Sequence, residues 1–207
     1  MQTKHELIPE PIGLDVDTTP KPIVWRELFG NDHPVEIEIG MGKGTFITDQ
    51  AKARPEVNFF GIEWARFFWR YASDRLRRNG CTNARTIRAE ASFFLTEFVV
   101  PESVAVLHIY FPDPWPKARH HKRRLLQPEF LDLVAGPLRS GALVHCATDW
   151  EHYADQMLEV LTAHPEFVNT QSDGGFAPRP SFRPLTRFEG QGLDKGHVVR
   201  DLLFRRR

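Results

Sequence analysis

The chain has 207 residues, enough for one domain that buries a continuous core. Its 27 basic and 27 acidic residues balance, so no global field draws in a polyanion, and binding of nucleic acid must come from local clustering. The two cysteines, Cys81 and Cys146, have no CxxC partner; this excludes a zinc ribbon or a disulfide framework and predicts reduced thiols in a cytoplasmic protein. No apolar run approaches the length of a membrane span.

Residues 1–24, rich in proline, lack the apolar centre of a signal peptide and read as a flexible arm before a single domain over 25–207. "VEIEIG" alternates Val35, Ile37 and Ile39 with Glu36 and Glu38, which predicts a strand running into a glycine turn. "TFITDQAKA" opens a helix that ends before Pro55, and "VNFFGIE" is a second strand ending at Glu63. "WARFFWRYASDRLRRNG" has helical spacing and closes on Gly80. "ARTIRAE" is a short third strand ending at Glu90. "SVAVLHIYF" is a fourth, apolar almost throughout, as a strand covered on both faces should be. A helix from Gln127 to Leu138 has Pro128 in its first turn. The strand "GALVHCATD" and the amphipathic helix "WEHYADQMLEVLTAH" follow, and "EFVN" and "GHVVRDLLFRR" close the chain as two more strands. The alternation predicts an α/β fold: a mostly parallel seven-stranded sheet with helices on both faces and an antiparallel C-terminal strand. Residues 171–196, rich in Pro and Gly and without periodicity, form a long loop of the kind that usually serves function.

The turn "EIGMGKG" spaces Glu38, Gly40, Gly42 and Gly44 in a way that fits a dinucleotide fingerprint poorly, since Thr45 stands where G-x-G-x-x-G needs its last small residue. It resembles the E/D-x-G-x-G-x-G turn of class I S-adenosylmethionine methyltransferases. Glu63 and Glu90 fall at successive strand ends, where open α/β sheets bind ligands. Glu63 is spaced to accept both ribose hydroxyls of a nucleoside, and Glu90 lies beside the expected adenine. As a solvated loop carboxylate either acid would be ordinary; three acids in phase with three strand ends are not. No His, Cys or Asp cluster has metal-ligand spacing, so no metal is expected.

After the fourth strand comes "FPDPWPKARHHKRR". One carboxylate, Asp113, sits between two prolines, and five formal positive charges follow within Lys117–Arg124. A solvated charged face needs no such ordering. Together with "GIE", "ATDW" and "RPLTRFEGQG…GHVVRDLLF", this block resembles the bacterial tRNA (guanine-N7)-methyltransferases, over Glu38 to Phe204. The resemblance implies a Rossmann-like class I methyltransferase fold and transfer of a methyl group from S-adenosyl-L-methionine to N7 of a guanosine in the tRNA variable loop, leaving S-adenosyl-L-homocysteine. By motif position Glu38, Gly40, Gly42, Glu63, Glu90 and Asp113 contact the cofactor, and Asp113 is also the catalytic position. Lys117, Asp149 and Thr186, Arg187, Phe188 and Glu189 meet the substrate. Arg119, His120, His121, Lys122, Arg123 and Arg124 contact the RNA. No membrane and no obligate protein partner is implied, and both monomer and homodimer stay open. Trp115 is equally a stacking surface or a packed aromatic, and Asp149 is equally a substrate contact or the N-cap of the helix at Trp150. Arg205–Arg207 read as a solvated basic tail. A non-catalytic RNA-binding protein on the same scaffold is the competing reading, against which the intact Glu38, Glu63 and Asp113 argue.

Overall fold

The computed structural model describes residues 6–183 and 198–207. Eight strands are β1 (Gly13–Leu14), β2 (Val35–Ile39), β3 (Asn58–Ile62), β4 (Ala84–Ile87), β5 (Val104–Tyr110), β6 (Leu138–Thr148), β7 (Phe167–Asn169) and β8 (Arg200–Arg206). Six α-helices alternate with them: α1 (Trp25–Phe29), α2 (Thr45–Ala53), α3 (Arg66–Arg78), α4 (Ala91–Phe98), α5 (Pro128–Ala135) and α6 (Glu151–Ala163). The sheet order is β1-β4-β3-β2-β5-β6-β8-β7. Strands β1 to β6 pair in parallel, and β8 runs antiparallel between β6 and β7. The seven expected strands are all present, and the two-residue β1 adds an eighth.

Apolar runs in the central strands reflect burial on both faces. Phe59 and Phe60 are adjacent and point opposite ways. Phe60 stacks on Phe94 of α4, which stacks on Phe98, in the main aliphatic and aromatic core with Ile37, Leu107 and Val144. Phe59 joins Ile47, Ala72 and Leu76 under α2 and α3. Towards β5, β6 and β8 the face shared with α2 changes character, and the buried side chains there are Glu36, His108, His145 and Asp201.

The N-terminal segment corrects one expectation. Residues 6–24 are packed on the domain rather than forming a free arm. Gly13 and Leu14 pair with Thr86 and Ile87, Ile12 and Ile23 are buried, and Ile23 N donates to Phe98 O at 2.7 Å. Arg70 and Arg77 of α3 donate to the carbonyls of Leu7 and Ile8. Two isolated isoleucines give no periodicity to read, yet Ile12 anchors the segment along β4, an edge that would otherwise expose unpaired backbone groups, and Ile23 anchors it beside Phe98 and Val99.

Candidate active site

Strand β2 has β3 on one side and β5 on the other: the chain runs outward through β3 and β4 and then crosses back to β5 on the far side of β2. That is the topological switch point, where open α/β sheets form a crevice at the carboxyl ends of their strands. The glycine turn leaves β2 there. Gly40, Gly42 and Gly44 have φ of 72°, 53° and 68°. A Cβ on Gly40 or Gly42 would meet nothing within 4 Å; the turn needs glycine there for its backbone, and the space beside it is open. Gly44 differs, because a Cβ there would lie 2.8 Å from Ala72 Cβ and 3.2 Å from its Cα. Gly40 N donates to Ile62 O at 2.8 Å, and Gly42 N donates to Glu63 Oε2 at 2.9 Å. Glu63 Oε1 accepts from Ala65 N at 2.8 Å, so one carboxylate joins the turn to the start of α3.

Glu38 projects from β2 just before the turn. It is 6% exposed, and its Oε2 has no hydrogen-bond partner among the described residues. Burial pushes its carboxyl up to about 8; a backbone hydrogen bond at Ile47 opposes this and the charge of Glu63 adds to it. A buried polar atom without a partner calls for an explanation. A cationic group of a ligand over the open turn would supply one. Glu90 is used differently. It is the N-cap of α4, and its two oxygens accept from Ser92 N at 3.0 Å and Phe93 N at 2.8 Å.

Register places Ile39 of β2 beside Ile109 of β5, so the chain leaving β5 stands next to the glycine turn. Asp113 lies in that chain and is exposed. The backbone around it is unusual. Phe111 and Trp115, each followed by a proline, have φ of 49° and 43°, a region bulky side chains rarely enter. Such residues cost about 1–3 kcal/mol each and persist only where the surroundings over-determine them. Phe111 N donates to Ala147 O at 2.7 Å. Trp115 packs edge-on against His120 and under the guanidinium of Arg123, so it is a packed aromatic in this state. Arg124 Nε donates to Pro114 O at 2.8 Å, closing the loop from its far side.

Comparison with known proteins agrees with this geometry. The family model described as "Putative methyltransferase" matches residues 32–202. The tRNA (guanine-N(7)-)-methyltransferase of Streptomyces avermitilis is 56% identical over 94% of this chain and 66% of its own length. The enzyme of the same name from Bordetella pertussis is 46% identical over 92% of this chain and 74% of its own. This chain belongs to the tRNA (guanine-N7)-methyltransferase family. Its fold is that of class I methyltransferases: the aminoglycoside resistance methyltransferase NpmB1 superposes with a TM-score of 0.56 at 17% identity, over 88% of this chain and 91% of that one. The chain spans about two thirds of the length of the Streptomyces avermitilis relative.

Within this methyltransferase the basic run divides. A short 3-10 helix, Ala118–Arg123, turns Arg119, Lys122 and Arg123 outward, with His120 and His121 half-buried. Arg124, grouped with them by sequence, is 2% exposed and points inward. Besides Pro114 O, its guanidinium meets Gln156 Oε1 and His152 Nδ1 on α6 and lies 4.8 Å over the ring of Tyr153. Its place is a clamp between the Asp113 loop and α6, not an RNA contact; its one-letter identity within a charged run concealed this. Lys117 is exposed at the head of the 3-10 helix, and Asp149 is half-buried. The N-cap of α6 is Trp150, so Asp149 does not cap it. Thr186, Arg187, Phe188 and Glu189 lie outside the described residues. Arg205 and Arg206 belong to β8 rather than to a tail. Arg205 donates to Gly141 O, and Arg206 pairs with Glu102 and Glu166. Among the described residues no group of three or more His, Cys, Asp or Glu could hold a metal ion, and no helix is long and apolar enough to cross a membrane.

Proposed function

We propose that this chain transfers the methyl group of S-adenosyl-L-methionine to N7 of a guanosine in tRNA, with Asp113 at the point of transfer. The observation that carries the reading is the juxtaposition at the switch point of an open glycine turn, two carboxylates and the Asp113 loop. The residues fit the cofactor. Gly40 and Gly42 leave room for it, Glu38 offers an unpartnered buried oxygen to a cation, and Glu63 offers ribose hydroxyls the lone pairs its two backbone donors leave unused. Glu90 keeps a supporting place beside the adenine through the helix end it caps. When bound, the cofactor supplies an electrophilic methyl carbon on a sulfonium.

Guanine N7 carries a lone pair in the ring plane and no proton in the neutral base, so the transfer needs no general base. What the protein contributes is alignment and charge. In this reading the Asp113 carboxylate lies beside the imidazole edge of the guanine, near N7. As N7 gains the methyl group the base becomes cationic, and the nearby carboxylate stabilises the developing charge. The strained, clamped backbone of residues 111–116 holds that carboxylate still before substrate arrives. The outward Arg119, Lys122 and Arg123 neutralise phosphates and give affinity without reading sequence. Lys117, Asp149 and Thr186–Glu189 complete the substrate contacts. Incubation with labelled S-adenosyl-L-methionine and unmodified tRNA, followed by nucleoside analysis, is expected to yield labelled 7-methylguanosine. Label in any other nucleoside, or none, rejects the reading.

A further inference from the structure

The buried polar face of the sheet carries an arrangement that methyl transfer does not itself use. His108 of β5 and His145 of β6 stand side by side in the parallel register, 1% and 0% exposed. Each turns Nδ1 towards the same atom, Tyr110 Oη, at 2.8 Å. Each turns Nε2 towards a carboxylate oxygen at 2.8 Å: Glu36 Oε2 for His108 and Asp201 Oδ1 for His145. Arginines close both ends. Arg54 donates to both oxygens of Glu36 at 2.8 Å, and Arg183 donates to those of Asp201 at 2.8 and 2.9 Å. The array is two-sided, with Tyr110 at its centre.

Four links therefore join Glu36, His108, Tyr110, His145 and Asp201, and each needs one hydrogen. A carboxylate only accepts, so both Nε2 atoms must carry a hydrogen, and a neutral imidazole of that tautomer has a bare Nδ1. Two bare Nδ1 atoms then face a phenol that has a single proton. Neutral side chains supply three hydrogens for four links, and one pair of lone pairs is left confronted in a buried site, where unmade hydrogen bonds are costly. A fourth hydrogen removes the conflict. It does not sit on a carboxylate. Burial works to raise Glu36, but the hydrogen bonds from His108 and Arg54 outweigh it and hold the carboxyl below its ordinary value. Asp201 is gripped by Arg183 in the same bidentate way. Nor is the phenol ionised, since burial, with Glu38 adding to it, pushes Tyr110 well up.

We propose that the imidazole pair bridged by Tyr110 holds one proton more than its neutral side chains supply, and that this proton makes the array a positioning network for the Asp113 loop. Burial holds His108 below the ordinary imidazole value. One ring's Nδ1–H then donates to Tyr110 Oη, and the Tyr110 hydroxyl donates to Nδ1 of the other. The charges facing the pair are Glu36, Arg54, Asp201 and Arg183, with Glu38 and Cys146 nearby. Phe182 packs edge-on against both imidazoles, with centroids 6.4 and 5.6 Å away, and Gln50 donates to its carbonyl. Arg183, the next residue, lies 5.9 Å over the ring of Phe111, where the Asp113 loop begins. The array thus ties Phe182 and Arg183 to the foot of the Asp113 loop. Losing the proton at alkaline pH leaves one link unmade and loosens that junction. The effect on rate rests on the proposed function; the proton count does not.

Histidine-selective nitrogen-15 NMR of the full chain tests the count without any variant. One of His108 and His145 is expected as an imidazolium at a pH where the exposed histidines are already neutral, and Tyr110→Phe is expected to turn both into neutral Nε2–H tautomers. Two neutral rings in the wild-type protein overturn the proposal. Tyr110→Phe is also expected to lower kcat by roughly 10- to 100-fold, the scale of a small misplacement of reacting groups, with KM for tRNA little changed. It should also remove the alkaline fall of the wild-type pH profile. An imidazolium present in the wild type with unchanged kcat and pH profile in Tyr110→Phe overturns the positioning role alone. If wild-type protein methylates no tRNA, the proposed function fails, and the spectrum still decides the proton.

Discussion

The two halves of the crevice are built by different means. The glycine turn is fixed by backbone: peptide hydrogen bonds to the end of β3, a carboxylate bridge at Glu63, and the close approach of Gly44 to α3. The residues around Asp113 form no strand or α-helix of their own. The loop is fixed by two residues in a disfavoured conformation, by prolines, and by the side chain of Arg124. A half that holds an invariant small molecule can be part of the sheet. A half that must admit a large RNA stands at the surface and needs side-chain clamps to keep its geometry. Substitutions in the first half should therefore change cofactor affinity, and those in the second should change rate or stability.

The largest effect is expected at Asp113. Asp113→Asn keeps the size and loses the charge, and it should lower single-turnover methyl transfer by about 10²–10³-fold, the range typical of removing one group that stabilises transition-state charge. Cofactor affinity should fall far less, so a matching loss of S-adenosyl-L-methionine binding would erase the contrast between the halves. Arg124→Ala comes next. It removes charged hydrogen bonds from a buried site and should destabilise the fold by about 2–3 kcal/mol in urea unfolding, slowing transfer as the loop loosens. Its salt dependence of tRNA binding should stay that of the wild type. Glu63→Ala should weaken cofactor binding by roughly 1.5–3 kcal/mol in calorimetry while leaving kcat at saturation almost intact. Neutralising Arg119, Lys122 and Arg123 together should leave stability alone and flatten the log–log salt slope of tRNA binding by about 0.7–0.9 for each phosphate no longer neutralised. If Arg124→Ala flattened the slope and these three did not, the division of the basic run would be reversed.

The smallest effect is a proton. Glu38 has a folded-state pKa of about 8 against an ordinary 4.5. The native state therefore binds more protons than the unfolded chain between those values. The contribution of this group to stability is fully present below about 4.5, declines as pH rises, and is lost once pH passes about 8. Glu38→Gln should flatten that part of the Tm profile of the cofactor-free protein. A cation seated against the carboxyl favours its ionised form, so cofactor binding at neutral pH should release up to one proton. Calorimetry in buffers of different ionisation enthalpy reads this directly.

Much of the site was legible because chemistry and strand ends coincide. Alternation marked β2, the glycines marked its exit, and Pro112-Asp113-Pro114 followed by cations marked the loop. What escaped was set by tertiary context. In "SVAVLHIYF" the dominant signal is apolar, and nothing local shows that His108 and Tyr110 share a polar face with His145 and Asp201, which come from other strands. Helix α4 went unassigned, because "ASFFLTEF" is too apolar to show one clear stripe. The same acid that reads as an adenine neighbour, Glu90, starts that helix. Arg124 looks like its neighbours in a charged run, and only the packing of α6 distinguishes it.

The approach of Gly44 to Ala72 has a consequence for engineering. Ala72 lies fully buried in the middle of α3, and its Cβ and Cα fill the space beside Gly44. Any larger side chain at 72 would push the turn outward and distort the seat of a ligand it never meets. A library that randomises the turn to accept enlarged methyl-donor analogues should therefore vary residue 72 with it. Codons diversified at 40–44 alone would be searching a backbone whose height above the sheet is already set from behind.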